Sequence, residues 1–472
     1  MPENAWPDKA ADYASVRESS ELDFESGTER RRFKAAFALL TVWGAVGLLH
    51  LLSWGYWFVL SLTAMMTAYS VRLWLVRPLL RPSPLPDDPD TWPFVSLLVA
   101  AKDEEAVIGS LVKRLCELDY PAHRYELWVI NDNSSDRTPQ VLDRLAQEYD
   151  QLKVLHRSAV EARGGKSGAL NQVLPLCRGD IVAVFDADAQ VSEDLLQRTL
   201  PLFNRPQVGA VQVRKSIVNA DTNFWTRGQQ AEMALDGFFQ ERRIWSGGLG
   251  ELRGNGQFVR RQALEDCGGW NEETITDDLD LTLRLHLAKW DVDFLLNPAV
   301  SEEGVTRALA LWHQRSRWAE GGYQRYLDYW RLIMSGQLGP RKTVDLLMFL
   351  VTQYLLPTAM VPDTLLAVVR NRPPLLGPAE SLGFILSLVG MFIGLRRIQK
   401  ATQPIANRSV PTALMQTLRG TVYMLHWLPV MASTTARMSV RPKRLKWVKT
   451  VHEGMGLEDD PTDELWLDVP GG

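Results

Sequence analysis

The chain has 472 residues, 46% of them hydrophobic, and a formal net charge of −4. That length leaves room for a large soluble domain with further elements beside it, and the near-neutral charge excludes a general nucleic-acid footprint. Cys116, Cys177 and Cys267 are odd in number and lack metal-ligand spacing, so they read as reduced thiols, not as a secreted disulfide framework.

Residues 1–34 read as a disordered cytoplasmic leader. The stretch AAFALLTVWGAVGLLHLLSWGYWFVLSLTAMMTAYSV (35–71) carries His50 as its only ionisable side chain. A span takes about 20 apolar residues, so this run is too long for one and nearly enough for two. Ser53, Trp54 and Gly55 supply a turn, predicting a transmembrane hairpin over 35–76. Arg30, Arg31, Arg32 and Lys34 precede it, and Arg72, Arg77 and Arg81 follow it. Matching basic flanks place both ends on the cytoplasmic side. The run is too long and its leader too acidic for a cleaved signal peptide.

Between 91 and 341 apolar runs alternate with helical patterns, predicting an α/β domain whose mostly parallel sheet has helices on both faces. The predicted strands are FVSLLVAA (94–101), YELWVIND (125–132), LKVLHRS (152–158), DIVAVFDAD (180–188) and GAVQVRKS (209–216). Helices over 105–118 and 192–203 lie among them. Ligands of such sheets bind beyond the carboxyl ends of the strands. Three predicted strands end there in acids: Asp103 with Glu104, Asp132, and Asp186 with Asp188. Residues two apart on a strand point the same way, so Asp186 and Asp188 would offer two carboxylates to one ligand. Such a pair suits magnesium or manganese, which keep open positions for phosphates; a solvated turn is the alternative.

GGKSGALNQ (164–172) sets glycines and Lys166 before a helix, where backbone N–H groups attract phosphate and the ammonium adds a point charge. A flexible loop is the alternative, and the spacing is not that of an ATPase phosphate loop. TITDDLDLTLRL (274–285) opens a helix with Asp277, Asp278 and Asp280, which either offset the helix dipole or include a general base. WHQRSRWAEGGYQRYLDYW (312–330) has two readings. Its arginines and aromatics suit a membrane surface, and equally a wall for a phosphate and a sugar ring. Arg315 and Arg325 are expected to be purely interfacial.

Apolar segments return over 344–369, 382–395 and 411–431, the first interrupted by Pro357, Pro362 and Asp363, the last by Arg419 and His426. They give four or five spans in all at about 20 residues each, with a C-terminal transmembrane region over 342–436. The end, 437–472, combines a basic stretch, RMSVRPKRLKWVK, with an acidic terminus. The basic stretch is expected on the cytoplasmic leaflet, against anionic lipids.

The order of these pieces resembles the family 2 inverting glycosyltransferases with a GT-A fold. The likeness runs over 94–318 and is carried by AAKDEE, VINDNSSDRT, GGKSGALN, the D-A-D at 186–188, Thr276-Asp277-Asp278 and QRSRW at 314–318. Asp277 stands where the family often has glutamate, and Asp103-Glu104 where it often has Asn-Glu. The resemblance implies a GT-A nucleotide-sugar-binding domain flanked by transmembrane helices. Glu104 and Asp132, with Asp103 nearby, would hold a uridine. Lys166 and Arg317 would meet the diphosphate. Asp188, with Asp186, would ligate Mg2+ or Mn2+. Asp278 would be the base, and Gln314 and Trp318 would face the acceptor.

FVSLLVAAKDEEAVIG, GELRGNGQFVRRQAL, GGWNEETITDDLDLTLRLHLAKW and the tail ARMSVRPKRLKWVKTVH carry a closer likeness. It is to the cyanobacterial diacylglycerol glucosyltransferases of that family. This likeness implies UDP-glucose as donor, diacylglycerol as acceptor, Mg2+ as cofactor and the first step of galactolipid synthesis in a thylakoid or plasma membrane. A processive synthase of hyaluronan or poly-N-acetylglucosamine type is the alternative enzyme. A non-catalytic membrane scaffold is the alternative outside catalysis.

Overall fold

The structure is a computed structural model that describes residues 30–80, 82–404 and 408–441. Most of the leader, and the tail from 442, lie outside the described residues.

A seven-stranded sheet in the order β3-β2-β1-β4-β6-β5-β7 forms the soluble part. Its strands are β1 (Val95–Ala101), β2 (Tyr125–Asn131), β3 (Leu152–His156), β4 (Ile181–Phe185), β5 (Val208–Ile217), β6 (Gln257–Arg260) and β7 (Asp291–Glu302). β1 lies parallel to β2 and β4, with Val95 opposite Tyr125 and Ile181. The sheet is mostly parallel, and β6 runs antiparallel to both β4 and β5. Along β1, Val95, Leu97, Val99 and Ala101 pack into one core while Leu98 packs into the other. That two-residue period is what a strand covered on both faces requires.

β6 and β7 are absent from the sequence expectation. β6 has only four residues, QFVR, too few for an alternation to register. β7 contains Asn297-Pro298 and several charges, and proline normally demotes a strand. The helix expected over 105–118 is Ile108–Cys116. The one expected over 192–203 is a short helix, Leu195–Thr199, continued by a 3-10 turn, Leu200–Asn204. All three cysteines are buried free thiols.

Among the described residues four helices are long and apolar enough to cross a membrane: Arg31–Leu51, Gly55–Leu75, Pro340–Val369 and Gly377–Thr402. The first two have 21 residues each, about 31 Å at 1.5 Å per residue, which matches a hydrocarbon core of about 30 Å. Their tight connection needs Gly55, because a Cβ there would sit 1.9 Å from the Leu49 carbonyl oxygen. The 411–431 stretch is not one continuous helix. It divides into Val410–Met424 and Trp427–Val440, because Pro429 has no N–H to give the Leu425 carbonyl. Asp363, an interruption in the sequence, is a buried staple. Its carboxylate meets His50 Nε2 at 2.6 Å and accepts from the N–H groups of Leu375 and Leu376 at 3.1 and 3.0 Å.

Candidate active site

The carboxyl ends of β1, β2 and β4 open on a cavity of about 1450 Å3. After β1 the chain turns at Asp103, whose φ is 54°. The Asp103 carboxylate accepts from the Ser135 N–H at 2.6 Å and from its hydroxyl at 3.0 Å. It therefore shapes the turn and does not line the cavity, whereas Glu104 and Asp132 do. The Glu104 N–H donates to Thr138 Oγ1 at 2.8 Å. Asp132 accepts from Arg157 Nη1 at 2.6 Å, and the same guanidinium donates to Gln172 Oε1 at 2.9 Å and the Arg163 carbonyl at 2.8 Å. Arg157 thus ties the end of β2 to the loop before Lys166.

That loop ends in Gly164 and Gly165, at φ 73° and 56°, and starts the helix Gly165–Val173. A Cβ on Gly164 would lie 2.4 Å from Glu272 Oε2, so both conformation and space demand glycine there. Lys166 Nζ meets Asp186 Oδ1 at 2.5 Å. Burial disfavours the ammonium, yet Asp186 and then Asp277 outweigh it, and its pKa stands above the ordinary lysine value.

Asp186 and Asp188 do not share a strand face. β4 ends at Phe185, and D-A-D forms a turn closed by the Ala189 N–H on the Asp186 carbonyl at 3.0 Å. Polar groups at 186 and 188 favour the turn over a longer strand. Both acids nonetheless line the cavity. Asp188 Oδ2 accepts from the Glu303 N–H at 3.1 Å. Among the described residues no group of three or more His, Cys, Asp or Glu side chains is placed to hold a metal. Two carboxylates on an open cavity fit a hard cation that draws its remaining oxygens from phosphate and water, as magnesium does.

The helix Asp277–Leu287 separates its three acids by function. Asp280 is structural: it takes Arg284 Nε and the Tyr329 hydroxyl, each at 2.7 Å, and Asn271 Nδ2 at 3.1 Å. Asp277 and Asp278 face the cavity. Asp278 Oδ1 accepts from the Leu279 N–H at 2.8 Å. Burial first, and then the neighbouring Asp277, push the Asp278 carboxyl up to about 6. Close by, Gly254 at φ 83° leaves its missing Cβ 3.5 Å from Asp278 Oδ2.

Gln314, Arg317 and Trp318 also line the cavity. They lie on the helix Ala308–Met334. Among the described residues Arg317 has no carboxylate within salt-bridge distance, and burial lowers its pKa. The Arg315 guanidinium lies 3.9 Å and the Lys215 ammonium 5.3 Å from the centre of the Trp318 ring. Arg315 and Arg325 are not interfacial. Arg315 is fully buried against Glu232 at 2.6 Å, and Arg325 is buried against Glu251 at 2.9 Å. Carboxylates from distant parts of the chain draw both inward. Gly321 and Gly322 allow this helix to dock: a Cβ would lie 2.2 Å from Thr276 Oγ1 and 1.9 Å from the Tyr354 hydroxyl, respectively.

A model of the glycosyltransferase like family 2 matches residues 93–321. A beta-monoglucosyldiacylglycerol synthase from Trichormus variabilis is 59% identical over 97% of this chain and 100% of its own length. One from Synechocystis is 54% identical over 97% of this chain and 98% of its own. This chain belongs to the beta-monoglucosyldiacylglycerol synthase family. Among solved structures, the mannosyltransferase PcManGT from Pyrobaculum calidifontis, in complex with GDP-Man and Mn2+, aligns with a TM-score of 0.50. It covers 86% of this chain and 96% of its own at 18% identity, which shows the shared GT-A fold.

Family membership directs attention to residues that sequence reasoning gave no role. In GELRGNG, Glu251 accepts from Arg253 at 2.7 Å and pairs with Arg325, and Arg253 reaches Asp236 at 2.8 Å. Burial opposes the Glu251 charge, but Arg325, Arg253 and Arg243 outweigh it and hold its pKa below the carboxylate range. Lys215 pairs with Glu302 at 2.7 Å. Glu251, Arg253, Lys215 and Glu302 all line the cavity. Their signal in the sequence is the unusual charge of GELRGNG and of a strand that carries Arg214 and Lys215.

Proposed function

We propose that the chain is an inverting glucosyltransferase that moves glucose from UDP-glucose to the free sn-3 hydroxyl of diacylglycerol at a membrane surface. The product would be β-monoglucosyldiacylglycerol. The observation that carries this reading is Asp278: a cavity-facing carboxyl held near neutrality, in the same cavity as Asp186, Asp188, Lys166 and Arg317. A base near the working pH takes a proton efficiently.

In the proposed reaction the acceptor oxygen attacks the anomeric carbon opposite the diphosphate. The new C–O bond forms as the bond to the phosphate oxygen breaks, and the hydroxyl proton passes to Asp278. A single displacement inverts the centre and needs no second carboxylate nucleophile. Arg317 and Lys166 place positive charge where the diphosphate departs; the guanidinium fork suits phosphate. Asp188, with Asp186, would hold a divalent cation, Mg2+ or Mn2+, which supplies charge neutralisation to the leaving group. Glu104 and Asp132 would receive the uridine, with Asp103 fixing the turn beside them. Gln314 and Trp318 would flank the acceptor.

A multi-pass membrane protein with its catalytic domain on the cytoplasmic side fits the basic flanks of the hairpin. The closure of Asp363 within a staple removes a polar group that a sugar-polymer channel would use. Replacing Asp278 by asparagine keeps the shape and removes the proton acceptor. Transfer should fall by about 10²–10⁴-fold while UDP binding, read by calorimetry, is preserved. Wild-type turnover in that variant would remove Asp278 from the base role.

A further inference from the structure

The cavity does not stop at its charged groups. It continues between three of the candidate spans and the helix Trp427–Val440, lined by Met66, Leu356, Met360, Phe384, Met391 and Leu428. Its volume of about 1450 Å3 exceeds the ~300–1,000 Å3 of ordinary small-molecule pockets. Along the helix Gly377–Thr402 the lining runs from Met391 to Glu380, about 16 Å at 1.5 Å per residue. One leaflet of hydrocarbon is about 15 Å deep, half of a core of about 30 Å. At the Glu380 end one carboxylate oxygen is buried without a hydrogen-bond partner among the described residues, and the apolar lining ends there.

Resting on the reading of diacylglycerol as acceptor, we infer that this apolar arm holds the acyl chains of the acceptor while its hydroxyl reaches Asp278. The lining offers methionines, whose unbranched thioethers adapt to chains of different length and unsaturation. Lipid tails are as apolar as the arm, so moving a chain into it from the bilayer changes little in free energy. The gain is positional. A tethered glyceryl hydroxyl meets the base in one orientation, whereas a lipid diffusing past the surface does not.

Gly383 lines the arm, and a Cβ built on it meets no atom within 4 Å. Gly383→Phe therefore adds a bulky side chain on the arm's lining from a position where the Cβ itself is accommodated. Ser387→Phe, one helical turn along and also on the lining, repeats the test if the first variant fails to fold. We expect kcat/KM for dioleoylglycerol to fall about tenfold or more. Dioctanoylglycerol should keep its wild-type rate and UDP binding should be unchanged. Equal loss for the two acceptors, or no loss for either, would overturn the inference. A diacylglycerol carrying a diazirine at its acyl end gives a second measurement. Labelling of Gly377–Thr402 and Pro340–Val369 that disappears in Gly383→Phe supports the arm; labelling confined to Arg31–Leu51 refutes it. A wild-type enzyme that forms no glucosyldiacylglycerol would overturn the acceptor reading instead, and photolabelling would still report whether the arm is occupied.

Discussion

Asp277, Asp278 and Asp280 sit within one helical turn and meet three different environments. Asp280 is consumed by Arg284 and Tyr329, Asp277 keeps one buried oxygen with no hydrogen-bond partner among the described residues, and beside it in the cavity Asp278 has its pKa raised to about 6. A base must be ionised to accept a proton. Transfer should therefore decline as pH falls through about 6, and a pH–rate profile that stays level well below that value would contradict the assignment. Arg317 makes a second test. Arg317→Lys keeps the charge but loses the planar fork, so kcat/KM for UDP-glucose should drop about tenfold or more; steady-state kinetics in the donor checks it. Glu104, Asp132, Lys166, Asp186, Asp188, Asp278, Gln314, Arg317 and Trp318, which the structure brings to one cavity, were legible because they stand in short, ordered motifs. Arg157, Lys215 and Glu251 were not, since Asp132, Glu302 and Arg325, which help to place them, lie far from them in sequence. The same blindness misread Arg315 and Arg325, whose carboxylates Glu232 and Glu251 are more than seventy residues distant.

Among the elements, the helix Ala308–Met334 does the most to assemble the site. It carries Gln314, Arg317 and Trp318 and closes against Thr276 and Tyr354 through Gly321 and Gly322. Gly322→Ala would force a methyl onto the Tyr354 hydroxyl, and overpacking of that kind costs about 1–3 kcal/mol. Thermal unfolding in detergent should register the loss, while Gly47→Ala, where a Cβ meets nothing within 4 Å, should not. Equal stability of the two variants would argue against a close dock. Elements with a strong pattern were readable: β1, β2 and β4 are apolar runs broken only by Ser96, Glu126 and Asn131, and the hairpin helices are long. β6 was too short to show alternation, β7 was masked by Pro298, and the break before Trp427 depends on a single missing N–H at Pro429.

For the molecule as a whole, candidate spans on either side of the glycosyltransferase domain and a cavity that continues between them would bring the site to the proposed lipid acceptor. Acyl chains favour the bilayer by about 0.8 kcal/mol per buried CH2, so the base must come to the surface. The basic tail predicted from RMSVRPKRLKWVK lies mostly outside the described residues and would draw the domain down. Deleting it from Arg441 should weaken activity most on vesicles rich in anionic lipid. High salt should mimic the deletion, because screening shortens from about 10 Å at 0.1 M to about 3 Å at 1 M. Vesicle assays across lipid composition and salt measure both effects, and an equal response on neutral vesicles would remove the tail from membrane attraction. The most direct measurement incubates the purified full chain with labelled UDP-glucose and diacylglycerol in lipid–detergent micelles, then separates the lipids and determines the linkage. We predict one glucose per diacylglycerol, β-linked, formed only when a lipid surface is present; a polymeric sugar product, or equal transfer to a water-soluble acceptor without any lipid, would contradict it.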